Sequence, residues 1–134
     1  MIKKKILIVE DNEQNLYLTT FLLEKQGHDV VQARNGQEGV DLAVAERPDL
    51  ILLDIQLPVM DGYEVAGSLK QARETRSIPI VAVTSYAMAG DREAVLAAGC
   101  EGYIEKPIDP DSFVEQVSGF LNAERGTGNK AGSS

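Results

Sequence analysis

At 134 residues the chain has the length of one domain that can bury a core of its own. Its 43% hydrophobic and 25% charged residues exclude a disordered chain, and no apolar run approaches the ~18 residues of a membrane span. A net charge of −8, from 21 acidic against 13 basic residues, argues against non-specific nucleic-acid binding, which depends on Lys and Arg meeting phosphates.

The N-terminal "MIKKKILIVE" lacks a secretory apolar core and cleavage site, and the lone Cys100 cannot form an internal disulfide. A soluble, cytoplasmic protein is expected, with Cys100 structural rather than catalytic. The first apolar run, 5–9, predicts a strand that ends in Glu10 and Asp11. Residues 15–26 carry Leu16, Thr19, Leu22 and Leu23 at helical spacing and stop at Gly27. His28, next in the chain, is expected as a solvated loop residue.

A second strand is predicted over 29–33. Asn35 with Glu38 then reads as a capping box opening a helix to about residue 46. After Pro48 comes "LILLD", a strand over 50–53 delivering Asp54 at its end. A helix is expected over 62–72, a fourth strand over 80–84 ending in Thr84 and Ser85, and a helix over 91–98 stopped by Gly99. The fifth strand, 102–104, leads to Lys106. Asp109-Pro110 reads as cap and first residue of a last helix reaching about Leu121. From residue 123 on, the Gly- and Ser-rich text reads as a flexible tail, leaving 1–122 as the domain.

Strands alternating with helices imply a parallel, doubly wound α/β sheet covered on both faces. Such sheets bind ligands beyond the carboxyl ends of their strands. Glu10, Asp11, Asp54, Thr84 and Lys106 all fall there. Three carboxylates gathered on one edge repel, by roughly 4 kcal/mol per pair ~4 Å apart at an effective dielectric of 20. Lys106 supplies one counter-charge, and a hard divalent cation such as Mg2+ is expected to supply the rest. Taken alone, Asp11 has a simpler role as cap of the helix beginning near Asn12.

In this order and spacing, "VEDN", "LLDIQLPVMDG", "VTSYA" and "GYIEKPI" resemble a response-regulator receiver domain, over about residues 4–121. The resemblance implies a flavodoxin-like fold with five helices and strand order 2-1-3-4-5. It implies Asp54 as phosphoacceptor, taking phosphate from a phosphohistidine on a sensor histidine kinase or histidine phosphotransfer protein. Asp11, Asp54 and the backbone carbonyl of Gln56 would hold Mg2+ directly, with Glu10 reaching it through water; many members carry Asp where this chain has Glu10. Thr84 and Lys106 would bind phosphoryl oxygens, and the Lys106–Pro107 bond would be cis. Thr84 and Tyr103 would form the switch, read by a downstream protein on the face of helix 4, strand 5 and helix 5. Gln56 and Tyr86 would flank the path of the hydrolytic water, with bulky Tyr86 shielding it and prolonging the phosphorylated state.

Two rivals use the same sheet. A haloacid-dehalogenase-type phosphatase needs an acid two positions after its nucleophile, where this chain has Gln56. A flavin carrier needs a phosphate-cradling first loop, where "EDNEQN" presents acids.

Overall fold

A computed structural model describes residues 3–85 and 89–133, with side chains described for 3–85 and 90–122. The elements are β1 (Lys5–Val9), α1 (Glu13–Lys25), β2 (Asp29–Ala33), α2 (Gly36–Glu46), β3 (Leu50–Asp54), α3 (Gly62–Gln71), β4 (Ile80–Thr84), α4 (Ala89–Ala97), β5 (Gly102–Glu105) and α5 (Pro110–Ser133). All five strands pair in parallel, in the order β2-β1-β3-β4-β5.

Successive side chains of a strand point to opposite faces, and this alternation sorts the core into two layers. Leu7, Val9, Ile51, Leu53, Ile80 and Ala82 pack toward α2, α3 and α4, against Ala43, Val65, Leu69 and Val95. Ile6, Ile8, Leu50, Leu52, Val81, Val83 and Ile104 pack the other way, against Leu16 and Leu23 of α1 and Phe113 and Val117 of α5. Central strands buried on both faces explain why β1, β3 and β4 read as unbroken aliphatic runs.

The helix ends refine three expectations. Asn12, not Asp11, caps α1: its side chain accepts the Asn15 N–H at 2.9 Å. At α2 the Asn35 side chain accepts the Glu38 N–H, but the Glu38 carboxylate returns to the N–H of Arg34, one residue before the cap. The full capping box lies at α3, where Asp61 and Glu64 satisfy each other's backbone N–H groups. Asp109 caps α5 by accepting the Ser112 N–H. That helix runs to Ser133, past the last turn that the apolar spacing supports near Leu121.

His28 is corrected from a solvated residue to a buried one, 7% exposed. The turn that Gly27 makes at φ +94° folds the imidazole inward onto the start of β1.

Candidate functional site

The hydrogen-bond ladder of the sheet runs past the apolar stretches and takes in the polar residues that follow them. Glu10 N–H donates to Ala33 O at 2.9 Å, and Lys106 N–H donates to Thr84 O at 2.9 Å. Asp54 is still within β3, opposite Val83. By alternation Asp54 follows Leu50 and Leu52, Glu10 follows Ile6 and Ile8, and Lys106 follows Ile104. All three therefore lean to the α1–α5 side of the sheet.

Lys106 Nζ lies 3.2 Å from Glu10 Oε1 and 3.2 Å from Asp54 Oδ2. Glu10 and Asp54 are 4% and 2% exposed, while Asp11 is open to solvent. One ligand oxygen from each of Glu10, Asp11 and Asp54 falls within 4.8 Å of the others. Burial first, then a hydrogen bond with Asp54 and its charge, push the Glu10 carboxyl up, the Asn12 N–H and Lys106 pull it back, and the net result is about 7. Burial works against the Lys106 ammonium, yet Asp54 and Glu10 outweigh it and the net direction is upward.

This donor set fits a hard cation. All its atoms are oxygens, two acids are buried beside a single lysine, and the third faces water with its capping role taken by Asn12. Mg2+ would be held here by Glu10, Asp11 and Asp54.

The loop after β3 fixes Asp54 from below. Gln56 N–H donates to Asp54 Oδ1 at 2.9 Å, and Gly62 N–H donates to Ile55 O at 3.1 Å. A Cβ on Gly62 would stand 2.5 Å from Ile55 Cα and 2.7 Å from Asp54 O, so no larger residue fits without moving the Asp54 backbone. Between them Val59 turns at φ +63° with its side chain in water, a costly conformation for a β-branched residue.

Thr84 and Tyr103 lie on the other face. Thr84 continues the Ile80, Ala82 series toward α3 and α4, and is 1% exposed. Tyr103 pairs with Ala82 and packs half-buried on the same layer, under the Arg92 guanidinium at 5.3 Å from its ring centre. The Lys106–Pro107 bond is cis. Tyr86 falls outside the described residues. One contact had no signature in the sequence: Gln56 Oε1 accepts both the hydroxyl and the N–H of Ser85.

Strand-end acids, a lysine bridging two of them and a strand-end threonine thus gather at the carboxyl edge of a flavodoxin-like sheet. Residues 6–118 match the response regulator receiver domain family, and the chain belongs to it. It is a receiver domain of the two-component response-regulator class.

Among its relatives, the polar-differentiation response regulator DivK of Brucella anthropi is 49% identical over 118 residues, covering 88% of this chain and 96% of the relative. A CheY-like receiver domain protein from Methanospirillum hungatei superposes with a TM-score of 0.85 at 32% identity, covering 94% of this chain and 99% of the other. The receiver domain of a Pseudomonas aeruginosa sensor histidine kinase gives 0.82 at 33% identity, covering 90% and 99%. That structure carries a magnesium ion coordinated in its active-site cleft.

Proposed function

We propose that residues 1–122 form a receiver that takes a phosphoryl group onto Asp54 and that residues 123–134 are a tail outside the switch. The observation that carries this is the double ion pair of Lys106, at 3.2 Å from both Glu10 and Asp54 and on the carboxyl edge of the sheet. The Asp54 carboxylate oxygen bonds to the phosphorus of a phosphohistidine on a sensor histidine kinase or phosphotransfer protein. The N–P bond breaks, and its electron pair stays on the imidazole nitrogen. Lys106 then holds one phosphoryl oxygen and the Thr84 hydroxyl another. Asp11, Asp54 and the Gln56 carbonyl would hold Mg2+, with Glu10 through water, and the ion would supply positive charge to offset that of the transferring group.

The switch runs through Thr84 and Tyr103, which share one face of the sheet, to the surface of α4, β5 and α5. A downstream protein reads that surface in the cytoplasm. Gln56 and Tyr86 tune how long the phosphoryl group lasts, Tyr86 by shielding. No helix is long and apolar enough to cross a membrane among the described residues, and a net charge of −8 disfavours non-specific binding to nucleic-acid phosphates.

Incubation with acetyl phosphate and Mg2+ should add one base-labile phosphate, and Asp54→Asn should abolish it. Labelling of that variant at the wild-type rate would overturn the assignment.

A further inference from the structure

Gln56 reaches across the mouth of the site. Its Oε1 accepts Ser85 Oγ at 2.6 Å and the Ser85 backbone N–H at 3.2 Å, joining the loop after Asp54 to the residue that follows Thr84. Its own N–H is committed to Asp54 Oδ1 at 2.9 Å. Gln56 and Ser85 are both exposed and lie outside the helices and strands. An exposed glutamine ordinarily samples several rotamers. Here two donors from one serine fill both lone pairs of its single acceptor atom.

Resting on the phosphoacceptor reading of Asp54, we propose that Ser85 is a positioning residue that withholds the Gln56 side-chain oxygen from the hydrolytic water and so lengthens the life of the phosphorylated state. In hydrolysis the water oxygen bonds to phosphorus, and the bond from phosphorus to the Asp54 oxygen breaks. The electron pair returns to the carboxylate, and the water proton passes to solvent as inorganic phosphate leaves. A side-chain oxygen two residues from Asp54, free to accept one O–H of that water, would hold it in the line of attack. The Ser85 clasp removes that acceptor. Losing the hydroxyl leaves the longer N–H bond alone and returns one lone pair to solvent.

The clasp is tested by charging the protein with acetyl phosphate and Mg2+, removing the donor and following phosphate loss from Asp54. Ser85→Ala should decay several-fold faster than wild type, and Ser85→Thr, which keeps the hydroxyl, should decay more slowly than Ser85→Ala. In a Gln56→Met background, with similar length but no oxygen, the exchange of Ser85 for Ala should no longer change the rate. A second readout needs no phosphate: amide hydrogen exchange at Ser85 should quicken in Gln56→Met. Label on Asp54 with Ser85→Ala decaying at the wild-type rate would overturn the clasp alone. Equal acceleration by Ser85→Ala in the Gln56→Met background would overturn it too, since a merely looser loop would then be the cause. Absence of label on wild type would overturn the phosphoacceptor reading itself, and the clasp with it.

Discussion

His28 is buried in the turn after α1, where its Nδ1 accepts the Lys4 backbone N–H at 3.1 Å. That bond requires an unprotonated Nδ1, so the ring is held neutral with its proton on Nε2. Burial lowers its pKa first; Asp49 opposes that shift and Lys4 adds to it. The unfolded chain takes up the imidazole proton near ~6.5, while the folded protein resists it until lower pH. The His28 contribution is therefore complete above about pH 6.5 and is lost as pH falls through the window below it. Glu10 acts in the opposite sense: with its carboxyl raised to about 7, stability falls as pH climbs from the ordinary carboxylate range through that value. The raw curve mixes both, so the comparison of variants isolates the histidine. Between about pH 7 and pH 5.5, His28→Gln should lose less melting temperature than wild type does, by calorimetry. Parallel slopes would remove His28 from the account.

At the scale of elements, the two ends of the sheet are built differently. The amino ends of the strands are pinned: Asp49 accepts the Lys5 N–H at 2.8 Å, and Glu101 accepts the Ile80 N–H at 2.7 Å. Lys70 ties α3 to the carbonyl of Ile78 at 3.0 Å and to Glu101 at 3.3 Å. The carboxyl ends open into loops instead, with Val59 strained in one of them. Between β5 and α4 the Tyr103 ring lies beneath Arg92, a contact worth about 0.5–1 kcal/mol at exposed sites. That is roughly a two- to five-fold bias in ring position. Arg92→Ala should thus shift the NMR signals of the Tyr103 ring, in unphosphorylated protein, part of the way toward those of the phosphorylated form. A ring environment that ignores both Arg92 and phosphorylation would separate Tyr103 from the switch.

At the scale of the whole molecule, three acids, Glu10, Asp11 and Asp54, cluster on one edge of the sheet beside Lys106. A ligand that binds only the folded state stabilises it by about 2.7 kcal/mol at a hundred times its dissociation constant. Millimolar-range Mg2+ should therefore raise the melting temperature, and Asp11→Asn should shrink the rise. An unchanged transition at saturating Mg2+ would contradict the cation site. Much of this architecture was legible beforehand for one reason: strands covered on both faces are unbroken aliphatic runs, so a carboxylate or lysine closing one stands out. What escaped were relations set by three-dimensional approach. Asp11 and Asn12 both offer a capping oxygen, and the direction in which the chain leaves β1 decides between them. His28 is tied to the backbone of Lys4, 24 positions earlier and just ahead of β1. Gln56 and Ser85 lie 29 positions apart and are individually unremarkable polar loop residues.

Glu10 and Lys106, in contact across the site, are 96 positions apart in the chain. Synthesis proceeds from the N-terminus, so all three acids leave the ribosome long before the lysine that faces them. Until β5 docks on β4, a nascent or truncated chain presents a self-repelling cluster with no ammonium to receive a phosphoryl oxygen. The last strand to be made is thus the one that arms the pocket. If Asp54 is the phosphoacceptor proposed above, only a chain completed through β5 offers a phosphodonor the whole site.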